Sequence, residues 1–303
     1  MHANVFTLTY VGLLGRQLGQ VLPDLNAPRP NSCGTDAACY RPLRPYYSQH
    51  PNLGLIGFFQ TGGSSSYHAL QASAERRLTQ GLALNANYQW AHGLDNASPL
   101  SETGAGGYGS VPPLVSTLEY GNSQLDIRHR IAGTINYQLP FGAKANGLQA
   151  IAIKGWQTNV IGVWETGFPF TITNATDVSN TNPGANNADR PDRIGKPSVH
   201  KGDINEFFNT AAFAAQTPGT IGTERRNGLH GPDYRHLDLS LFKVFPIGER
   251  FNLEFRAESF NLLNTANFAV PNSSLGGANF GRITALSTNY APRQLQFALK
   301  LTF

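Results

Sequence analysis

The last ten residues alternate apolar and polar side chains without exception, and this pattern limits what the chain can fold into. In residues 294–303 one set of alternate positions holds only Leu and Phe, and the other holds polar residues or Ala. A period of two residues is that of a β-strand, whose successive side chains point to opposite faces. Ten residues is also about the length with which a tilted strand crosses a bilayer. The pattern predicts a membrane-spanning strand with one apolar face.

The same alternation recurs upstream. It is clear in residues 82–91, 127–139, 236–241 and 251–258, and it is weaker, with glycines or mixed faces, in residues 4–17, 67–78 and 156–170. Together with the last segment, these make about eight strands. We therefore predict an all-β fold.

The predicted connections alternate in length along the chain. The short ones are residues 79–81, 140–154 and 246–249, and the long ones, rich in Gly, Asn, Pro and Ser, are 18–66, 91–123, 171–234 and 263–291. Compact soluble domains rarely hold loops beyond about 15 residues. Outer-membrane barrels combine short periplasmic turns with long extracellular loops. The alternation predicts a transmembrane antiparallel β-barrel with this arrangement.

The direction of each strand follows from the last one. If the final strand ends in the periplasm, every long connection is extracellular and every short one is periplasmic. Residues 282–287 also have strand character, but one more crossing there would invert the assignment. We therefore place them in the last outer loop.

Composition supports contact with lipid and argues against nucleic acid. Charged residues make up 14% of the chain, against roughly 25% in ordinary globular proteins. The net charge of +4 is scattered and lacks the density of a nucleic-acid-binding surface. No run of about 20 apolar residues exists, so no transmembrane helix is predicted.

Two cysteines, Cys33 and Cys39, lie close together in a proline-rich part of the first long loop. Their spacing is typical of a loop disulfide in an oxidising compartment. Two free thiols remain an alternative, because a sequence does not give the geometry that a disulfide requires.

Catalytic, cofactor and metal signatures are missing. The histidines contain no His-x-x-x-His pair, and the glycine-rich residues 104–109 have no strand before them and no helix after. Asp177, Asp189 and Asp192 share one long loop but lack the spacing of an EF-hand, so we interpret them as solvated loop residues. We expect no enzyme, no cofactor and no metal site.

The polar faces of the strands supply the candidate functional residues. In a barrel they would face the lumen, where the candidates are Arg128, Arg130, Asn136, Gln138, Asn252, Glu254, Arg256 and Glu258. Two carboxylates on one face are also the minimal apparatus of a glycosidase. We favour lumenal charges that offset one another, because Arg256 lies between Glu254 and Glu258.

The C-terminal region resembles the TonB-dependent receptors. Residues 251–264, which end in Asn261-Leu262-Leu263-Asn264, are similar to that family's penultimate strand, and Pro292-Arg293 is similar to the start of its closing strand. Leu299, Leu301 and the final Phe303 resemble the signal that the barrel-assembly machinery reads. Residues 125–130, 188–191, 209–213 and 228–232 resemble the Oar-like branch, whose members carry a carboxypeptidase-regulatory-like domain.

This resemblance implies an outer-membrane protein of a Gram-negative bacterium that takes up a scarce nutrient. Residues 1–303 would be the C-terminal part of a barrel of about 22 strands, in contact with outer-membrane lipid. TonB would act only through a plug domain. Neither a plug nor a signal peptide is found in the sequence, so we expect a fragment of a longer protein. Ferric siderophores, cobalamin and carbohydrates are the implied substrate classes.

Two other functions stay open at this point. Eight strands can close on themselves, so the chain would then be a self-contained outer-membrane barrel with an adhesive or structural role. A secreted β-rich protein that binds or hydrolyses carbohydrate is the third hypothesis.

Overall fold

Eight long strands dominate the computed structural model, which describes residues 4–22, 24–96, 119–142, 146–181, 189–200, 202–248 and 250–303. Numbered in chain order, they are β1 Asn4–Leu22, β2 Phe58–Thr79, β3 Leu82–Asp95, β4 His129–Gln138, β5 Trp156–Glu165, β6 Tyr234–Ile247, β7 Phe251–Phe260 and β8 Gln294–Thr302. Parts of two predicted loops, residues 97–118 with the glycine-rich 104–109 and residues 182–188, lie outside the described residues, as does residue 249.

The eight strands form one antiparallel meander, in which each strand pairs with its neighbours in the sequence. A hydrocarbon environment offers no water to backbone N–H and C=O groups, so adjacent strands must supply the partners. Among the described residues, β1 pairs only with β2 among the long strands, and β8 only with β7, so the sheet is open at both sides. The predicted fold class, a partial transmembrane antiparallel barrel, is confirmed.

The register aligns the alternation of neighbouring strands, so that the sheet has two different faces. Ile135 of β4 lies opposite Leu84 and Val160, and we call this side the outer face. The adjacent Asn136 lies opposite Asn159 on the other side, which we call the lumenal face. Apolar side chains of the outer face are strongly exposed; Phe297 and Leu299 are both 69% exposed. Soluble proteins rarely expose an apolar surface of this extent, so the outer face meets lipid.

The first hairpin is longer than the alternation predicted. Predicted strands at residues 4–17 and 67–78 extend to Leu22 and back to Phe58, and the loop between them is correspondingly shorter than residues 18–66. β2 has 22 residues, and at about 3.3 Å per residue it exceeds the apolar band of about 25 Å. The hairpin therefore projects beyond the membrane. There, neither face of the hairpin must be apolar, so its sequence does not need to alternate.

The fifth strand is shorter than predicted. It ends at Glu165 instead of continuing to residue 170, and Pro169–Phe170 pairs separately with Leu229–His230. At Gly167 an added Cβ would lie 2.2 Å from the carbonyl oxygen of Gly231, so the two backbones approach closely where the chain leaves the sheet. Proline also cannot donate the hydrogen bond that a continued strand would need.

Smaller elements lie in the connections. The helices are Ala37–Tyr40 and Gly147–Ile153, with 3₁₀ turns at Arg41–Leu43 and Thr210–Ala212; the two-residue strands are Gly121–Asn122, Pro169–Phe170, Thr173–Asn174, Asp192–Arg193, Phe213–Ala214, Leu229–His230 and Ser274–Leu275. No helix in the described part of the chain has the length and hydropathy of a membrane span. Residues 282–287 contain one isolated bridge, between Leu286 and Phe268, and no crossing strand, as predicted.

The two faces predict responses of different size when an arginine is introduced. Ile135→Arg places a guanidinium in lipid and should lower the free energy of unfolding by about 2–4 kcal/mol. Thr134→Arg, one residue earlier on the lumenal face, should change it by less than about 1 kcal/mol. Equilibrium denaturation of the protein folded in phospholipid vesicles measures both. Equal effects of the two substitutions would contradict the assignment of the faces.

Candidate functional site

The lumenal face carries a continuous set of amide and hydroxyl side chains. Gln71 Nε2 donates to Gln89 Oε1 at 3.0 Å, and Asn159 Nδ2 donates to Asn136 Oδ1 at 2.5 Å. A cavity of about 260 Å³ opens on this face; its polar lining includes Thr7, Thr9, Gln71, Ser73, Asn87, Gln89 and Arg130. Such a surface can hydrogen-bond a polar solute or another protein segment inside a barrel.

Two ion pairs of opposite charge lie on the lumenal face. Arg130 Nε lies 3.3 Å from Glu165 Oε2, its neighbour across the strands. Arg256 donates to Glu254, and its guanidinium lies 5.4 Å from the centre of the Phe242 ring. Because Glu254 is engaged by Arg256, the geometry favours charge compensation over a glycosidase pair.

The remaining lumenal candidates fall in two positions. Four of them lie in strands, on the same face as Arg130 in β4 or Arg256 in β7. They are Asn136, Gln138, Asn252 and Glu258. Arg128 does not lie in a strand, because β4 begins at His129. It lies at the extracellular rim, where its Nη2 is 3.0 Å from the buried carboxylate of Asp126. Contact of these residues with a plug or a solute stays a prediction.

The long outer connections fold over the barrel wall instead of forming open loops. We define the extracellular cap as the described residues of 166–233 and 261–293. It has its own hydrophobic core, made of Phe170, Ile172, Phe207, Phe208, Ala212, Phe213 and Leu229, with Phe280 and Ile283 packed against it. The alternation of apolar and polar residues did not predict this core. The cluster of Phe207, Phe208 and Phe213 in a loop otherwise rich in Asn and Pro was the available signal.

The acidic residues of the cap are not all solvated, which corrects the interpretation from the sequence. Asp189 is only 3% exposed. It accepts hydrogen bonds from the backbone and hydroxyl of Ser179 and from Gln216 Nε2 at 3.0 Å. Burial raises the pKa of Asp189 to about 6. Asp177 binds Ser179 Oγ at 3.2 Å, and Asp192 accepts from the backbone of Thr223 at 3.0 Å.

No metal centre emerges from these groups. In the described ranges, no cluster of three or more His, Cys, Asp or Glu side chains is arranged to hold an ion. The Asp189 carboxylate accepts hydrogen bonds from Ser179 and Gln216. In this geometry the carboxylate fixes the path of the loop.

Buried ion pairs attach the cap to the wall. Arg226 of the cap donates to both the carboxylate and the backbone carbonyl of Asp95, the last residue of β3, and its Nε donates to Glu119 O at 2.9 Å. Arg190 pairs with the Glu119 carboxylate. Breaking a buried pair leaves an uncompensated charge and costs about 3–5 kcal/mol. These contacts join the cap to the extracellular end of β3 and to Glu119 in the connection that follows it.

The comparison with known families agrees with this architecture. A family model described as an outer membrane beta barrel domain matches residues 1–296. The chain belongs to this family. Its place is accordingly the outer membrane of a Gram-negative bacterium. A search of curated proteins found no match.

The described residues 24–57 between β1 and β2, which we call the first extracellular arm, are cross-linked and bound to the cap. Cys33 and Cys39 form a disulfide, with 5.6 Å between their Cα atoms. The backbone N–H of Asn31 donates to Ser179 O at 2.9 Å, and Asn180 Nδ2 donates to Asn31 Oδ1 at 2.5 Å. The arm therefore extends the cap across the first hairpin.

The residues of the predicted assembly signal lie at the periplasmic end of the barrel domain. Leu299 and Leu301 are exposed on the outer face of β8. Phe303 is 95% exposed, and its ring centre lies 6.5 Å from that of Phe251. Recognition of these side chains by the assembly machinery stays a prediction.

The raised pKa of Asp189 predicts a cap that loses stability as the pH rises. The folded state holds a proton with a pKa of about 6, whereas the ordinary value is 3.8. The contribution of the Asp189 carboxyl to the stability of the folded cap is therefore complete below a pH of about 4. It is lost as the pH rises through about 6. Asp189→Asn mimics the protonated form. Its cap amides should exchange hydrogen about tenfold more slowly than wild type at pH 7 and at a similar rate at pH 4. A ratio of wild-type to variant exchange rates that does not change with pH would contradict this prediction.

Proposed function

We propose that this barrel domain is part of the wall of a TonB-dependent receptor that takes up a scarce nutrient across the outer membrane. The observation that carries the proposal is a polar lumenal face in a wall whose extracellular end carries a folded cap, joined to β3 by a buried ion pair. A structural barrel of eight strands fills its interior with side chains. Here the lumenal face instead presents a wide set of hydrogen-bonding groups that are suited to a solute path or to a plug.

The open sides of the sheet support a larger barrel. Unpaired strand edges in hydrocarbon would leave backbone groups without partners, at several kcal/mol each. A self-contained eight-stranded barrel requires β1 to pair with β8, and no such pairing occurs in the described residues. Further strands that complete the wall account for both edges.

The residues that resemble the receptor family form one connected turn. Asn261 has a φ of 49°, and its Nδ2 donates to Thr265 O at 3.1 Å and to Ala291 O at 2.9 Å. Asn264 Oδ1 accepts from the backbone of Arg293 at 3.1 Å. The two asparagines thus hold the end of β7 against the start of β8. This gives a physical reason for the Asn-Leu-Leu-Asn and Pro-Arg elements to occur together.

The partners follow from this proposal. The TonB protein would act on the domain only through a plug within the lumen, and the plug would contact Arg130, Asn136, Arg256 and Glu258. The barrel-assembly machinery would read the last strand. The domain itself would transport and not catalyse, and the cap would select the solute.

Uptake in the native bacterium tests the proposal. Deletion of the gene should abolish growth on one member of a panel of ferric siderophores, cobalamin and oligosaccharides, and inactivation of TonB should abolish growth on the same member. A chromosomal Arg256→Leu variant, which removes a lumenal ion pair, should lower the initial uptake rate by about tenfold.

The matched control is Phe255→Leu, one residue away on the outer face, which should retain uptake at an equal surface level. Normal uptake of every panel member by the deletion strain, together with loss of cell adhesion, would contradict the proposal and favour the adhesive barrel.

A further inference from the structure

A short helix lies between β4 and β5, at the end of the barrel domain that faces the periplasm. It spans Gly147–Ile153, and we call it the periplasmic helix. Its Ile151 side chain is 58% exposed, and Ile153 and the nearby Phe141 are exposed as well. An added Cβ on Gly142 would lie 3.2 Å from the Ile153 Cβ, so the two ends of this connection meet. Grouped exposed apolar residues of this kind mark an interaction surface.

The end of the periplasmic helix is fixed to the lipid-facing side of the wall. The last carbonyl groups of a helix have no partner within it. Here the Ala152 carbonyl oxygen accepts hydrogen bonds from Trp156 Nε1 and Lys243 Nζ, each at 2.9 Å. Trp156 lies opposite Lys243, and Lys243 lies opposite Phe255, on the outer face. The helix is therefore attached on the side of the wall that meets lipid and not on the lumenal side.

Lys243 is a buried cation among apolar residues of the outer face. It is only 3% exposed. Its ammonium lies 5.4 Å from the centre of the Trp156 ring and 4.9 Å from that of the Phe245 ring, within the range of cation–π contacts. A charge that faced hydrocarbon without a partner would be costly. The Ala152 carbonyl and the two rings compensate this charge, so the helix and the lysine stabilise each other.

The cross-strand row that holds the helix continues into the lipid-facing surface. Phe255 contacts the Trp156 ring edge to face, with 6.1 Å between the ring centres, and lies opposite the exposed Leu299 of β8. Trp residues concentrate where hydrocarbon meets the polar headgroups, and β5 begins at Trp156, directly after the periplasmic turn. This row therefore marks the border of the periplasmic leaflet. Lys154, which follows the helix, is exposed there and suits the phosphates of the headgroups.

We propose that the periplasmic helix anchors the wall in the periplasmic leaflet, with Phe141, Ile151 and Ile153 inserted between phospholipids. Lys243 holds the helix at this depth. The continuous apolar row and the exposed Lys154 favour a phospholipid over a soluble periplasmic protein, because an interfacial segment buries apolar groups at the headgroup boundary and attracts phosphate with its cations. The anchor fixes the depth of the wall and does not depend on the solute that the domain takes up.

Fluorescence quenching in vesicles of phosphatidylethanolamine and phosphatidylglycerol tests the insertion. A nitrobenzoxadiazole fluorophore on Ile151→Cys should lose its fluorescence to lipids that carry a nitroxide near the headgroup, and should keep it when iodide is present on both sides of the membrane. The native cysteines do not react, because they form a disulfide. The matched control is Thr302→Cys, on the lumenal face at the periplasmic end of β8, where iodide should quench and the nitroxide lipid should not. Quenching by iodide at both positions would overturn the proposal and indicate a surface for a soluble partner.

Lys243→Met tests the attachment of the helix, because it keeps the apolar stem and removes the ammonium. The amides of the periplasmic helix should exchange hydrogen about tenfold faster, the usual effect of losing one hydrogen bond from a charged donor. Iodide should then also quench the fluorophore on Ile151→Cys. Lys300→Met, which removes an exposed lysine from the lumenal face of β8, should change neither measurement. Exchange and quenching that Lys243→Met leaves as in wild type would overturn the attachment on which the anchor depends.

Discussion

The obligation to pair every backbone N–H and C=O group inside hydrocarbon determines the rest of this structure. It explains why the eight strands form a meander in which neighbours in sequence are neighbours in space. The strands that meet this obligation are pleated, so a wall between lipid and lumen is apolar at one residue and polar at the next. The open edges of β1 and β8 are the places where the obligation is unmet among the described residues, and they point to further strands.

Outside the membrane a different balance holds. Water can hydrogen-bond to an unpaired backbone there, so a long loop folds only if other interactions stabilise it. Two kinds of interaction stabilise the cap. Its aromatic residues bury one another around Phe208, and buried charges such as Arg226 with Asp95 attach it to the wall. Together they join a folded structure to the extracellular end of the wall.

The sequence predicted the wall well and the cap poorly. Alternation at residues 251–258 and 294–303 identified both faces because lipid imposes a strict period of two. The same reasoning ended β1 too early and began β2 too late, since no such demand exists above the membrane. Asp189 looked like a solvated loop residue because its hydrogen bonds with Ser179 and Gln216 join positions up to 27 residues apart. The charge compensation between Glu254 and Arg256 was predictable because both residues lie on one strand.

The central claim, a wall with lipid on one side and a wet lumen on the other, is best tested by spin labels on β4. Single labels at positions 131 to 137 should alternate in accessibility along the strand. Labels at Ile131, Gly133 and Ile135 should be relaxed by oxygen, which concentrates in lipid, and labels at Ala132, Thr134 and Asn136 by a water-soluble nickel complex. Accessibility without a two-residue period, or water contact at both sets of positions, would contradict the account.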